Sequence, residues 1–198
     1  MEPFASPGQF VEPPWDAPLD VPAILAAIPP DTTIAGMFFL AVAEGAKRRG
    51  VALAQPRERY LPFGFYPVVE FAPLLVAASQ VFYPERTLRQ GLRAIGTVAP
   101  QVFVGSVLGK VTLGAAEGVH AVVTAMASTY SINIRPCSCT IRESSPNSMI
   151  VSLTEVQHFL DSHHVGVFEG TLQHAGVKGR VRIHARSRIS ADFLLEWS

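Results

Sequence analysis

The feature that most constrains the fold is a change in hydrophobic pattern near residue 132. Before it, apolar residues recur at three-and-four spacing, which is typical of helices with one buried face. After it, polar and apolar residues alternate in residues 132–142, 148–153, 178–187 and 191–197, which predicts four strands. Residues 158–176 return to helical spacing between the two strand pairs. This order predicts an α+β fold, with N-terminal helices packed on a C-terminal four-stranded antiparallel sheet (β-β-α-β-β).

Prolines and glycines divide the first part of the chain into separate helices. A short helix is predicted over 22–28, and a longer one runs from Asp31 or Thr32 to Gly50. Three further helices are predicted over 67–82 with a bend at Pro73, over 87–111 with a kink or break at Pro100, and over 115–130.

The domain organisation follows from proline content and length. Residues 1–18 contain five prolines and predict an extended arm, which Phe4, Phe10 and Trp15 could pin to the body. Residues 19–198 fit a single α+β domain, because a chain of this length can bury a substantial core. The 48% hydrophobic and 16% charged composition supplies that core and is the opposite of a disordered composition.

Charge and cysteine content restrict the environment and the partners. Sixteen basic residues balance sixteen acidic ones, so no global field favours nucleic acid or an anionic membrane. Prolines and glycines interrupt the apolar stretches, so no membrane span is predicted. Cys137 and Cys139 are separated by one residue, and a disulfide between them would be strained. With no secretory signal at Met1, these features predict a cytoplasmic protein.

Several segments resemble a large uncharacterised family, best known from myxobacteria, whose members have about the length of this chain. The resemblance covers nearly the whole chain after the arm. The segments that carry it are IAGMFF (34–39), RYLPFGFYPVVEFAPLL (59–75), LRQGLRAIG (88–96), SVLGKV (106–111), GVFEGTLQHAGVKGRV (166–181) and DFLLEW (192–197). The family is a domain of unknown function, so the resemblance implies no catalytic residue.

A second, more distant resemblance concerns the architecture of the C-terminal part. The β-β-α-β-β order, with Gly166 and Gly170 spaced four apart on its helix, looks like the four-vinyl-reductase, TRAPP-subunit and haem–nitric-oxide-binding group of folds. Such folds hold apolar ligands, haem or partner proteins. The resemblance therefore implies classes of role without choosing among them.

The third predicted strand carries a basic residue at every second position. The six residues are Lys178, Arg180, Arg182, His184, Arg186 and Arg188. A continuous strand places them on one side and turns Val181 and Ile183 toward the core. Two interpretations remain open: a solvated outer face partly balanced by Asp192 and Glu196, or a surface for an anion or an acidic partner. Binding of nucleic acid is not predicted, because no aromatic residues are interleaved with the stripe.

The cysteines and histidines suggest three further kinds of site, namely a metal site, a lipid-modified cysteine and a haem site. Cys137 and Cys139 could join His158, His163 or His164 in a metal site, although no second cysteine pair or His-x3-His motif follows. Two buried thiols or a lipid-modified cysteine are the alternatives.

His120 lies among apolar residues of a predicted helix. It is either a haem ligand or a hydrogen-bonded structural histidine. No metal and no cofactor is predicted.

No recognisable catalytic motif is present. The sequence has no GxSxG elbow, no HExxH and no complete P-loop, since GSVLGK at 105–110 has three residues between its glycines rather than four. A non-enzyme is therefore predicted.

Two functions remain. The first is a regulatory or scaffolding module that acts through contact with a protein partner or as a homodimer. The alternative is a small-molecule or lipid sensor with an apolar pocket between helices and sheet, lined by Phe38, Phe39, Phe71 and Phe168.

Overall fold

The computed structural model describes residues 9–105, 109–110 and 116–198. Its helices are α1 (Val21–Ala26), α2 (Gly36–Arg48), α3 (Val68–Phe82), α4 (Leu88–Gly105), α5 (Gly118–Asn133) and α6 (Val165–His174). A π-helix, Leu160–His164, leads directly into α6. The predicted continuation of α4 through SVLGKV lies largely outside the described residues, as does Phe4 of the arm.

The main sheet confirms the predicted α+β fold. Its strands are β4 (Ser138–Ser145), β5 (Ser148–Thr154), β6 (Gly179–Ala185) and β7 (Ala191–Trp197). They are antiparallel and pair in the order β4-β5-β7-β6. The β4–β5 connection lies within the predicted turn at 144–147, and β7 has the predicted bounds. The hydrophobic alternation was therefore sufficient to locate the sheet.

A second, three-stranded sheet was not predicted. Its strands are β1 (Thr33–Ala35), β2 (Phe65–Pro67) and β3 (Ile134–Arg135), in the order β2-β1-β3. Because β1 takes the first residues of the expected helix, α2 begins at Gly36 rather than at Asp31 or Thr32. Strands of two or three residues are too short to show an alternating pattern.

Helix α3 has nearly its predicted bounds and contains Pro73 in its second turn, whereas the predicted boundary between α5 and the strand after it differs from the structure. Helix α5 extends to Asn133, so the strand expected from residue 132 begins later, as β3 and β4. Residues near a helix–strand boundary are compatible with either a helical or an extended backbone, and tertiary packing decides which of the two they adopt.

The core lies between the inner face of the main sheet and the helices. Val181, Ile183 and Phe193 project from the sheet into this core and are at most 3% exposed. Phe168 and Leu172 of α6 pack against them from the helical side. A sheet with one covered face alternates buried and exposed residues, which explains the pattern in β6.

Helices α4 and α6 pack unusually closely through glycines. A Cβ at Gly166 would overlap the carbonyl oxygen of Arg93, and one at Gly170 would overlap that of Thr97. From the opposite side, a Cβ at Gly96 would overlap the carbonyl oxygen of His163. The three glycines thus fix the distance between the two helices.

We expect Gly166→Ala to lower the free energy of unfolding by about 2 kcal/mol, because the clash is with backbone that cannot move aside cheaply. Gly105→Ala is the matched control, since no atom of the described residues lies within 4 Å of a Cβ there. Alanine is the better helix former, so the control should raise the same free energy by up to about 1 kcal/mol. Urea denaturation of both variants tests this; equal effects would contradict the close packing.

Residues 9–18 lie along the body of the protein at two points. The backbone of Val11 pairs with Ile183 at the free side of β6, and Phe10 packs on Ile150 and Leu194 of the outer sheet face. Farther along, Trp15 lies under the guanidinium of Arg93, 3.3 Å from its ring centroid. Two of the three aromatic residues proposed as anchors, Phe10 and Trp15, are therefore in contact with the body.

None of the described helices combines the length and the apolar character needed to cross a membrane.

Candidate functional site

A cavity of about 880 Å³ lies among the helices and beside the π-helix. Helices α2, α3, α4 and α5 each contribute to its wall, and most of the lining side chains are apolar. The apolar lining residues include Met37, Phe38, Phe71, Ile95, Phe103, Met126 and Val167. Its size falls within the range of roughly 300–1,000 Å³ that is common for small-molecule sites.

Three histidines line the interior end of the cavity. His158 follows β5, and His163 and His164 come from the π-helix. The ring centroids of His158 and His164 are 5.0 Å apart, and those of His163 and His164 are 5.1 Å apart. The π-helix, entered through the left-handed Phe159, brings consecutive histidines to one place. Irregular helical turns of this kind are frequent at functional sites.

Burial keeps these imidazoles neutral. It lowers the pKa of His158 to about 3 and that of His163 to about 4, because a charged ring would lose its hydration. The pKa of His164 lies well below its usual value for the same reason, with a smaller effect from the neighbouring His158. The interior end is thus polar but uncharged.

The hydrogen bonding of the histidines is incomplete within the described residues. Nδ1 of His164 shares a hydrogen bond of 3.1 Å with the hydroxyl of Tyr130. Nε2 of His164, Nδ1 of His163 and both ring nitrogens of His158 have no partner there. These four nitrogens are fully buried, and the other ring nitrogen of His163 is hydrogen-bonded to the backbone of Leu92. No ring nitrogen of the three histidines is therefore left open to the cavity.

The outer end of the cavity has exposed apolar side chains and charged ones. Leu40, Phe63, Val98 and Val102 line it and are 38%, 64%, 40% and 41% exposed. Arg48, Arg49 and Glu44 line the same opening from the last turns of α2. Exposed apolar side chains grouped around an opening are typical of interaction sites.

The four predicted pocket residues separate into two pairs. Phe38 and Phe71 line the cavity, and their ring centroids are 6.4 Å apart. Phe39 and Phe168 are not among the lining residues, and both are 0% exposed within the core. Phe39 and Phe168 pack against other aromatic rings of the core rather than line this cavity, so the cavity gives no support for them as pocket residues.

The basic stripe is only partly a strand face. Arg180, Arg182 and His184 lie in β6, whereas Lys178 precedes the strand and Arg186 and Arg188 follow it. The six residues therefore do not form one continuous row, because β6 ends at Ala185.

Most of the stripe's charge is paired within the chain. Arg180 and Arg182 both donate to the carboxylate of Glu196, at 2.9 and 3.1 Å. Arg186 lies 3.3 Å from a carboxylate oxygen of Asp192. Arg188 donates to the carbonyl oxygen of Ala23 in α1.

His184 of the stripe packs edge-on against Phe10, with ring centroids 6.1 Å apart. The outer sheet face is therefore partly covered by the arm and partly neutralised by its own acidic residues. This arrangement favours the solvated, balanced outer face over an anion-binding surface.

Both cysteines are partly buried against the core. Neither forms a disulfide, and burial raises the pKa of Cys137 to about 12 and that of Cys139 still further. Buried thiols that stay protonated are poor metal ligands and poor nucleophiles. In the part of the chain that the structure describes, no group of three His, Cys, Asp or Glu side chains is arranged to hold a metal ion.

His120 has a structural environment. Its Nε2 lies 2.7 Å from the carbonyl oxygen of Ser145, and its ring packs edge-on against Trp197. It is not among the lining residues of the cavity. Of the two interpretations of this residue, the hydrogen-bonded structural histidine fits the observed contacts.

Sequence reasoning missed several lining residues. Met37, Met126 and Tyr130 come from helices far apart in the chain, and each sits in an ordinary helical apolar stripe. The three histidines at 158–164 were noted only as metal ligands. All three lie at the start of the segment 158–176, which was predicted to be helical, and no sequence pattern marked them as one site.

Solved structures with the same fold are H-NOX proteins. A Fe(II) unliganded H-NOX protein from K. algicida has a TM-score of 0.61 at 13% identity, with 83% of this chain and 97% of that chain covered. An H-NOX protein from S. oneidensis in the Fe(II)NO state has a TM-score of 0.60 at 12% identity, covering 83% and 99%. An oxygen-binding H-NOX domain related to soluble guanylate cyclases has a TM-score of 0.59 at 11% identity, covering 82% and 92%. At these identities the likeness shows the fold.

A comparison of the sequence with curated proteins finds no match. The family described as "Protein of unknown function (DUF2378)" matches residues 27–198, which includes every strand, the π-helix and all lining residues of the cavity. The chain belongs to this family.

Proposed function

We propose that the protein is a sensor domain that binds an apolar small molecule in the cavity between its helices. The observation that carries the proposal is the cavity of about 880 Å³, walled by apolar side chains such as Phe38, Phe71, Phe103 and Met126. An empty apolar space of this size forfeits the contacts that a well-packed interior makes. A ligand would restore them. The fold that this chain shares with H-NOX domains also supports a ligand-binding role.

Haem is the ligand that the fold suggests first. One of the similar H-NOX proteins was solved in an Fe(II) state, and another structure was used to probe haem distortion in the H-NOX family. A histidine that ligates haem iron needs a ring nitrogen open to the cavity. The unpartnered nitrogens of His158, His163 and His164 are fully buried, and His120 lies outside the lining. The other ring nitrogen of His163 is hydrogen-bonded to the backbone of Leu92, and that of His164 to Tyr130. The residues present therefore do not fit a histidine-ligated haem.

The scaffolding role through a protein partner or a homodimer has less support than the sensor role. Part of its sequence basis was the patterned sheet face that carries the basic stripe, and there Glu196 and Asp192 already pair with three of the arginines. The residues of the arm also occupy part of that face. A partner could still read the state of a bound ligand, which is how a sensor domain transmits its signal.

The proposal is tested by filling the cavity. Ala41 lines it, whereas Ala43, two residues along the same helix, does not. We expect native mass spectrometry of the purified full chain to show a retained small molecule. Ala41→Phe should reduce the bound fraction at least tenfold, and the control Ala43→Phe should retain it, because only the first ring occupies ligand space.

Three results would overturn the proposal. The first is a chain that carries no adduct and takes up no apolar probe after removal of endogenous ligands. The second is equal retention by both variants. The third is a released haem with Soret absorption, which would instead show that a histidine nitrogen reaches the cavity.

A further inference from the structure

We propose that the ligand is an amphiphile with one long apolar chain and an anionic headgroup, the chain inside the cavity and the headgroup beside Arg49 at its opening. This inference rests on the proposed function and names the chemical class of its ligand. Three observations carry it: the charge at the opening, the uncharged interior and the size of the cavity.

The opening of the cavity carries a net positive charge in the described residues. Arg48 and Arg49 line it together with one acidic residue, Glu44. Glu44 accepts a hydrogen bond of 3.0 Å from Arg48, so that pair is internally balanced. No carboxylate of the described chain forms an ion pair with Arg49. Its charge is therefore available to an anion.

Contacts hold the Arg49 side chain at the opening. Its guanidinium lies 4.6 Å from the ring centroid of Phe82 and donates to the carbonyl oxygen of Gly45 and the hydroxyl of Tyr83, each at 3.3 Å. These partners are neutral and leave further N–H groups of the planar fork for a ligand. A guanidinium held in this way loses less conformational entropy when it binds a carboxylate or phosphate.

The interior end of the cavity cannot hold the charged group. His158, His163 and His164 are neutral, and their nitrogens do not face the cavity. An anion there would lose its hydration without a counter-charge, which is strongly unfavourable. The apolar end of the ligand must therefore point inward. The exposed Leu40, Phe63 and Val98 at the opening then contact the part of the chain nearest the headgroup.

The volume of the cavity is sufficient for a long apolar chain. At about 30 Å³ per methylene, close to the share of a water molecule in the liquid, a chain of about sixteen carbons takes up about 480 Å³. Such a chain fits within the cavity of about 880 Å³. The cavity therefore has room for the apolar part of a fatty-acid-like or lysophospholipid-like molecule.

The test compares headgroups on the same chain. Radiolabelled hexadecanoate, hexadecanoyl lysophosphatidate and the neutral hexadecanol are each equilibrated by dialysis with the full-length protein, below the concentrations at which they form micelles. We expect at least one of the anionic probes to bind about tenfold more tightly than hexadecanol. The preferred anion then distinguishes a free fatty acid from a lysophospholipid.

A variant pair assigns the charge to Arg49. Arg49→Gln should weaken the preferred anion about tenfold, or about 1.4 kcal/mol, and leave hexadecanol unchanged. Arg86→Gln is the matched control, because Arg86 also lies over the Tyr83 ring, at 4.8 Å, but does not line the cavity. It should change neither affinity.

Equal binding of hexadecanol and the anions would overturn this inference while leaving the proposed function intact. Equal losses in the two arginine variants would overturn it as well. Failure of every probe to bind, together with an empty native chain, would instead remove the proposed function on which it rests.

Discussion

The free energy of unfolding should fall by about 3 kcal/mol when the pH is lowered from 6 to 5. In that interval the unfolded chain binds protons on His158, His163 and His164, whereas the folded chain does not. Burial lowers the pKa of His158 to about 3 and that of His163 to about 4, and it holds the pKa of His164 well below its usual value. Each proton that the unfolded state binds in excess contributes about 1.36 kcal/mol per pH unit.

The sign follows from the direction of the shifts. A base whose pKa is lowered on folding contributes stability that is complete above its unfolded pKa of about 6.5 and is lost as the pH falls toward the folded pKa. Acid should therefore destabilise the protein from just below neutral pH, before most carboxylates titrate. Urea denaturation at pH 8, 7, 6 and 5 measures the slope, which should be well under 1 kcal/mol per unit between pH 7 and 8.

A variant separates the histidines from other groups. His158→Leu removes one of the three protons, so the slope between pH 6 and 5 should fall by about a third, whatever the variant does to the stability at neutral pH. An unchanged slope in this variant, or a slope below 1 kcal/mol per unit in the original chain, would show that these imidazoles are not held neutral.

Phe168→Ala should lower the free energy of unfolding by about 3 to 5 kcal/mol. The ring is 0% exposed and packs against Phe193 and Tyr130, with centroid distances of 4.8 and 5.8 Å. Removing it leaves a cavity between α6 and the sheet that the surrounding backbone cannot close. Thermal or urea denaturation of the purified variant measures the effect.

Phe63→Ala is the control for this loss. Phe63 is 64% exposed at the opening of the cavity, so its truncation should change the stability by less than about 0.5 kcal/mol. If Phe168→Ala were as mild as Phe63→Ala and mainly reduced ligand binding, then Phe168 would line the pocket as the sequence predicted.

The sheet was predictable because its signal is local. The bounds of β7, Ala191–Trp197, match those predicted from its residues. Its first five residues are all buried, because the helices cover one face of the strand and Phe10 packs on Leu194 of the other. Similarly, Val181 and Ile183 of β6 face the core as predicted. The end of β6 at Ala185 could not be predicted, since the alternation continues in the sequence to Arg188 while the backbone turns away.

The cavity was not predictable in the same way. An apolar stripe on a helix shows that a face is covered, but it does not show whether protein or ligand covers it. Phe38 and Phe39 are neighbours in α2, yet one lines the cavity and the other packs against Tyr60 and Phe71. The π-helix at 160–164 has no sequence signature of its own, so the convergence of His158 with His163 and His164 appears only in three dimensions.

The methionine methyl groups provide the most direct test of the central claim that a ligand occupies the cavity between the helices. Met37 and Met126 line the cavity, whereas Met149 lies in the core outside the lining and is 2% exposed. In a protein with isotope-labelled methionine methyls, we expect added hexadecanoate to shift the NMR signals of Met37 and Met126 and to give contacts between its methylene protons and both methyls. The Met149 signal should remain in place. Unchanged signals at Met37 and Met126 in the presence of saturating hexadecanoate, or contacts confined to Met149, would contradict the account.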